Sequence, residues 1–345
     1  MRRLVAVALA VAVAGCGLLR KPEPEAAVET AAPVAAPPAK ESALPSKGQP
    51  VATLPAPASP ALAPLPPLAG TSGLDTVAIE EASGLTGAVM PDGVFRITKP
   101  RGDLKVTLDG FPITPRMGLA GWVAFRPHAS GAMLVGLMPV AADELQAVVS
   151  ALANAGLEAT ALHGHFVGEE PRVLFVHFDG VGNPVALARG VRDVQEAIVR
   201  VRAARPQKAA AAEARSDLDV AHLDLVLGLR GEHENGVYRV AIPRADLRAA
   251  ELGVALGATM SPTSWAAFQG SSERAAVAGE LMLAPSELQP VIHALRQSRI
   301  GVVGIHDNSS REEPRLVFVS FWGVGRPDAL AAGVRKALDQ LPRGG

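Results

Sequence analysis

Three of the eight histidines in this 345-residue chain, His163, His165 and His177, fall within one short window. Imidazole is the commonest protein ligand for borderline divalent metals. Three rings meeting at one point would suit Zn²⁺ with a coordination position left open. The spacing says how they could meet. Residues i and i+2 of a strand share a face, which puts His163 with His165 and sends Leu162 and Phe166 to the other side. Residues from Glu158 to His165 read as one strand, and those from Arg172 to Phe178 as its antiparallel partner. If the hairpin turns around Gly168 to Arg172, His163 falls opposite His177, with Cβ atoms about 5 Å apart. Glu169 or Glu170 at the turn could add an oxygen ligand or brace a histidine. The same residues also fit a solvated or hydrogen-bonded sheet edge with no ligand. His177, on the face of Phe175 and Val173, would then be a half-buried packing residue.

The elements that must position this window occur twice. Gly93-Val-Phe-Arg96 returns as Gly236-Val-Tyr-Arg239, Trp122-Val-Ala-Phe125 as Trp265-Ala-Ala-Phe268, and Glu169-Glu-Pro-Arg172 as Glu312-Glu-Pro-Arg315. The offset is constant (236−93, 265−122 and 312−169 all equal 143), the mark of a duplicated fold. At the histidines the copies part: His163, His165 and His177 correspond to His306, Asn308 and Ser320. Amide and hydroxyl groups are poor zinc ligands, so the spacing predicts a histidine site in the first copy alone.

Each copy opens with a short helix, capped by Asp75 or Asp219 and stopped by Gly84 or Gly228. Alternating strands follow, over 93–98, 104–108, 122–125 and 132–138 in the first copy. An amphipathic helix over 143–155 comes next, then the histidine hairpin, then a helix started by Asn183-Pro184. Val173-Leu-Phe-Val176 is apolar on both faces, which predicts a strand covered on both sides. The fold class is α+β: two tandem homologous repeats, each an antiparallel sheet with packed helices containing a β-α-β-β-α unit. The repeats span 73–202 and 217–342, joined by a linker over 203–216. Glu-Glu-Pro-Arg and Pro-Arg-x-Asp, present in both copies, read as turns with local ion pairs.

The N-terminal region reads as export machinery: a signal peptide over 1–15, with Met1-Arg2-Arg3 ahead of an apolar run too short to span a bilayer. Val13-Ala14-Gly15-Cys16 has the form of a bacterial lipoprotein box. Cys16 is the single cysteine; lipidation explains a thiol without a disulfide partner. Residues 16–72 form a proline- and alanine-rich tether unable to build a core. Gly17 is not the aspartate that signals inner-membrane retention, which favours the outer membrane in a Gram-negative source. A formal net charge of −1 with no basic block argues against a nucleic-acid partner. HExxH, GxSxG, a P-loop and a strand-borne GxGxxG are all absent from the sequence, so no catalytic residue is assigned.

The motifs Leu162-His163-Gly164-His165, Glu170-Pro-Arg172, Phe175-Val-His177-Phe178 and Gly182-Asn-Pro184, with the upstream pairs quoted above, resemble the LppY/LpqO bacterial lipoproteins. The resemblance covers about residues 74 to 341 and implies an exported protein with a duplicated domain. That family usually shows Leu-His-Asn-His; here Gly164 replaces the Asn, and the second copy reads Ile305-His306-Asp307-Asn308. It brings no established activity with it. Three readings follow: a membrane-tethered, non-enzymatic module binding a divalent metal or small polar ligand at His163, His165 and His177; a metal-dependent hydrolase or oxidoreductase using those residues; or a structural or protein-interaction envelope lipoprotein with no small-molecule site.

Overall fold

The computed structural model describes residues 73–204, 216–257, 259–260, 263–309 and 311–342. The leader, Cys16, the tether and most of the linker lie outside them. In the first repeat the order is α1 (Thr76–Ser83), β1 (Ala88–Val89), β2 (Phe95–Pro100), β3 (Val106–Leu108), β4 (Phe111–Ile113), β5 (Ala120–His128), β6 (Gly131–Ala141), α2 (Leu145–Asn154), β7 (Glu158–His163), β8 (Val173–Gly182) and α3 (Pro184–Ala203). The second repeat has α4 (Val220–Leu227), β9 (Glu232–Glu234), β10 (Val237–Ile242), β11 (Ala249–Glu251), β12 (Val254–Leu256), β13 (Ser264–Gly270), β14 (Ala275–Leu283), α5 (Leu288–Gln297), β15 (Gly301–His306), β16 (Glu312–Glu313), β17 (Val317–Gly325) and α6 (Pro327–Leu338).

Each repeat builds a six-stranded antiparallel sheet with the same path, β1-β2-β5-β6-β8-β7 and β9-β10-β13-β14-β17-β15. Local chemistry sets the ends of the helices. Asp75 Oδ1 accepts from Ala78 N at 3.0 Å and Asp219 Oδ1 from His222 N at 3.0 Å, satisfying first-turn donors. Asn183 caps α3 through Val185 N and Ala186 N, with Pro184 as first helical residue. Gly136 has a steric reason in both copies. A Cβ there would lie 2.4 Å from Phe178, and at its counterpart Gly279 2.2 Å from Phe321, so only glycine lets the ring of the neighbouring strand pass.

The strands alternate cleanly between two cores. Phe95, Phe125, Leu134, Val176 and Phe178 face the helices of the first repeat; Tyr238, Phe268, Val277, Val319 and Phe321 face those of the second. The opposite faces, with Trp122, Met133 and Phe175 from one sheet and Trp265, Ala278 and Trp322 from the other, form one shared core. The molecule is thus four layers: helices, sheet, sheet, helices.

The repeated motifs dock the sheets. Arg96 stacks over Trp122 at 4.1 Å and donates across to the carbonyl of Thr259; Arg239 stacks over Trp265 at 3.9 Å and donates to the carbonyl of Arg116 at 2.8 Å. Arg126 reaches Ala255 O at 2.5 Å, and its counterpart Gln269 reaches Pro112 O at 3.1 Å. The Pro-Arg-x-Asp ion pairs form as expected, Arg101–Asp103 at 2.9 Å and Arg244–Asp246 at 2.8 Å, and each arginine also grips a buried glutamate, Glu144 or Glu287. The Glu-Glu-Pro-Arg turns pair Arg172 with Glu169 at 3.5 Å and Arg315 with Asp307 at 2.7 Å.

Two sequence expectations about the histidine hairpin are corrected. His163 pairs with Phe175, and His177 with Ala161, two residues from the predicted register. The hairpin turns one residue earlier than expected, centred on position 169, and a bulge between Ala159 and Ala161 then shifts the far part of the ladder by one. A two-residue slip preserves the face, so His163 and His177 remain on one side. The strand also ends at His163, so Phe166 escapes the alternation. It is buried in the shared core against Phe175 and Trp322 rather than on the outer face.

Candidate metal centre

His163 at the end of β7, His165 in the segment that follows it and His177 on β8 come together between the two sheets. His163 Nε2 lies 2.9 Å from His177 Nε2, and the rings of His163 and His165 stack with centroids 4.9 Å apart. Each ring is positioned by packing: His165 lies on Phe175 at 3.8 Å, and His163 stacks on Phe175 at 6.1 Å.

The facing repeat completes the cluster. His306, at the end of β15, stacks on His163 with centroids 3.5 Å apart. Glu280, mid-strand in β14, puts Oε2 3.0 Å from His165 Nε2 and 3.5 Å from His306 Nε2. Ser320 donates to the same Glu280 oxygen at 3.2 Å. Ligand nitrogens of His163, His165 and His306 all lie within 4.8 Å of one another. The prediction of a site in the first copy alone is therefore replaced by a cluster to which both contribute. The turn glutamates stay out of it. Glu169 accepts from Val173 N at 3.1 Å and braces the turn, Glu170 is exposed, and the carboxylate beside the histidines is Glu280.

Burial controls the electrostatics. Desolvation pushes His163 down to about 2, with the neighbouring imidazoles adding to it, His177 down to about 3 and His306 down to about 4. Burial alone would raise Glu280. The surrounding histidines, His165 foremost, outweigh it and hold the carboxyl well below the usual carboxylate range. Lowered values at His163, His177 and His306 keep those rings neutral, the state in which an imidazole ligates a divalent metal. Nδ1 of His163 and Nε2 of His306 are buried without a hydrogen-bond partner among the described residues. A tetrahedral ion about 2 Å from its nitrogen ligands sets them roughly 3.3 Å apart, so these rings would rotate inward by about an ångström and unstack to grip one.

Sequence reasoning missed Glu280 and gave His306 only as a counterpart. The signal for Glu280 was present: one carboxylate in the otherwise apolar run Ala275-Ala-Val-Ala-Gly-Glu-Leu-Met-Leu283.

Residues 77–197 and 221–340 each match one family, described as Domain of Unknown Function (DUF1259). No curated protein matches the chain. Among solved structures it is similar to a trimeric bacterial microcompartment shell protein, PduB, at 12% identity, 74% coverage of this chain, 92% of that chain and a TM-score of 0.18. It is also similar to EtuB from Clostridium kluyveri at 11% identity, 74% and 89% coverage and a TM-score of 0.18.

Proposed function

We propose that this chain, which belongs to the DUF1259 family through both of its repeats, is a divalent-metal-binding module, with Zn²⁺ the simplest occupant. The observation that carries this reading is the set of imidazoles of His163, His165 and His306, one buried and two partly buried, their nitrogens within 4.8 Å of one another beside the Glu280 carboxylate. A buried glutamate is costly unless paired, and a metal ion between Glu280 and the histidine nitrogens would supply a permanent counter-charge. His177 holds His163 from behind and Ser320 holds Glu280, as outer partners commonly orient ligands. Within each repeat we read β6-α2-β7-β8-α3, and its counterpart β14-α5-β15-β17-α6, as the β-α-β-β-α unit that carries the site.

The N-terminal sequence and the resemblance to LppY/LpqO lipoproteins support a setting for this module: exported, acylated at Cys16 and held off the envelope membrane by the tether, without nucleic-acid partners. Among the described residues no helix is long and apolar enough to cross a membrane. Metal analysis and calorimetry on metal-free protein test the binding. Zn²⁺, Cu²⁺, Ni²⁺ or Fe²⁺ should bind at about one ion per chain, and His165→Ala should abolish that uptake. Absence of uptake by the wild type, or uptake indifferent to His165→Ala, defeats the reading.

A further inference from the structure

A small cavity lies between the repeats. It has a volume of about 20 Å³; its polar lining includes His177 and Asp179 from the first repeat and Glu251, Ser309 and Glu312 from the second, among apolar neighbours such as Met260. That is room for one water or one ion.

Its carboxylates are arranged against ordinary sheet chemistry. Glu251 on β11 and Glu312 on β16 are direct cross-strand partners. Like charges in that relation repel at Cβ separations of about 5 Å. Both are buried, as is Asp179. The nearby cation is Arg311, which commits its Nη2 to both oxygens of Asp179 at 2.6 and 2.7 Å and keeps its Nε 3.9 Å from Glu251. Three buried carboxylates share one guanidinium, which also pairs with Glu158 at 3.0 Å, so acids outnumber cations here, an imbalance a divalent ion would offset. Ser309 donates to Glu251. Glu312 supplies the independent sign of a ligand: the residue is 7% exposed, lines the cavity, and its Oε2 is buried with no hydrogen-bond partner among the described residues.

The internal duplication provides a control. Subtracting 143 from Glu251 and Ser309 gives Leu108 and Phe166, and adding 143 to Asp179 gives Trp322. In that equivalent place Phe166 packs edge-on to Trp322 at 6.0 Å within the shared core. Glu169 accepts from Val173 N and keeps its other oxygen buried without a partner among the described residues, as Glu312 does, but no carboxylate stands opposite it: Leu108 does. One position is filled with hydrocarbon; the other carries acids around a void.

We propose that Glu251 and Glu312, with Ser309 and Asp179, form a second cation site, selective for a hard divalent ion such as Ca²⁺ or Mn²⁺. Oxygen donors favour such ions, whereas the neighbouring imidazoles favour Zn²⁺. Burial pushes both Glu251 and Glu312 up to about 7, so an incoming ion displaces protons rather than water alone. The site stands whether or not the histidine cluster binds metal.

The test uses full-length, chelator-treated protein titrated with Mn²⁺ and with Ca²⁺, followed by electron paramagnetic resonance and calorimetry. The expected result is Mn²⁺ binding that Ca²⁺ displaces and that the double variant Glu251→Gln/Glu312→Gln weakens by about tenfold or more, while His165→Ala leaves it intact. No Mn²⁺ or Ca²⁺ uptake by the wild type overturns the proposal, as does uptake lost with His165→Ala but retained in the glutamine pair. Should circular dichroism show the double variant unfolded, wild-type crystals soaked in Mn²⁺ decide. An anomalous peak between Glu251 and Glu312 supports the site; peaks only at the histidines, or none, overturn it.

Discussion

The two ends of the interface between the repeats are built from corresponding positions and have opposite chemistry. One end is closed by Leu108, Phe166 and Trp322, all buried in the shared core. The other places Glu251, Ser309 and Asp179 at the matching positions around a cavity. Between them, Leu137 of β6 lies opposite His177 on β8, while its counterpart Glu280 lies opposite Ser320 on β17. The outer faces are closer to each other: Phe178 and Phe321 pack over Gly136 and Gly279 alike, and Phe95 gives way only to Tyr238, whose hydroxyl donates to Asp224 of its own repeat at 2.7 Å. Duplication has kept the helix-facing halves as interchangeable scaffold and let the facing halves specialise.

The comparison can be broken most forcefully on its apolar side. Phe166→Ala should cost about 3–5 kcal/mol of unfolding free energy in denaturant titration, because its ring has no water to replace it in the shared core.

Acid should act next, through two opposed terms. His177 and His306 are pushed down to about 3 and 4 by burial, so the unfolded chain binds more protons below its ordinary histidine value of about 6.5. Their contribution is complete above that pH and is lost as pH falls toward 4. Glu251 and Glu312 are pushed up to about 7, so their contribution runs the other way, present near pH 4.5 and lost as pH rises to 7. In metal-free protein the terms partly cancel. Glu251→Gln/Glu312→Gln should unmask the histidines and steepen the rise in Tm between pH 4.5 and 6.5; a slope unchanged from wild type contradicts this account.

Restoring symmetry at the centre should give a smaller energy but a clear separation of roles. Glu280→Leu copies the first repeat's Leu137. Calorimetry should show Zn²⁺ affinity lower by about 100-fold, near the upper range for losing a supporting carboxylate. Thermal unfolding without metal should show a Tm equal to or above wild type, because an apolar side chain of similar size removes a desolvated charge. The smallest effect should come from Glu251→Leu, which copies Leu108. It relieves cross-strand repulsion and should stabilise the metal-free protein by about 1 kcal/mol in denaturant titration.

Much of the fold was legible from local signals. Asp75, Asp219, Gly84, Gly228 and Asn183-Pro184 announce helix ends because caps act within a few residues. Constant spacing between motifs revealed the duplication. The histidine window was legible by type and by face, since strand alternation survives a register error of two. What escaped was non-local. Nothing near residue 163 says that residues 280 and 306 lie across a sheet-to-sheet interface from it. The bulge near Thr160 has no turn residue to mark it, and Phe166 left the predicted face because the strand stopped at His163.

The docking contacts carry a consequence for how such a protein can change over time. Arg96, Arg239, Arg126 and Gln269 all end on main-chain carbonyls of the opposite repeat, those of Thr259, Arg116, Ala255 and Pro112. A carbonyl is present whatever side chain its residue carries. The receiving surface therefore offers its handholds independently of its own side chains, and mutation there leaves the grip intact. Such an interface leaves the facing side chains free to explore new chemistry without the two halves losing hold of each other.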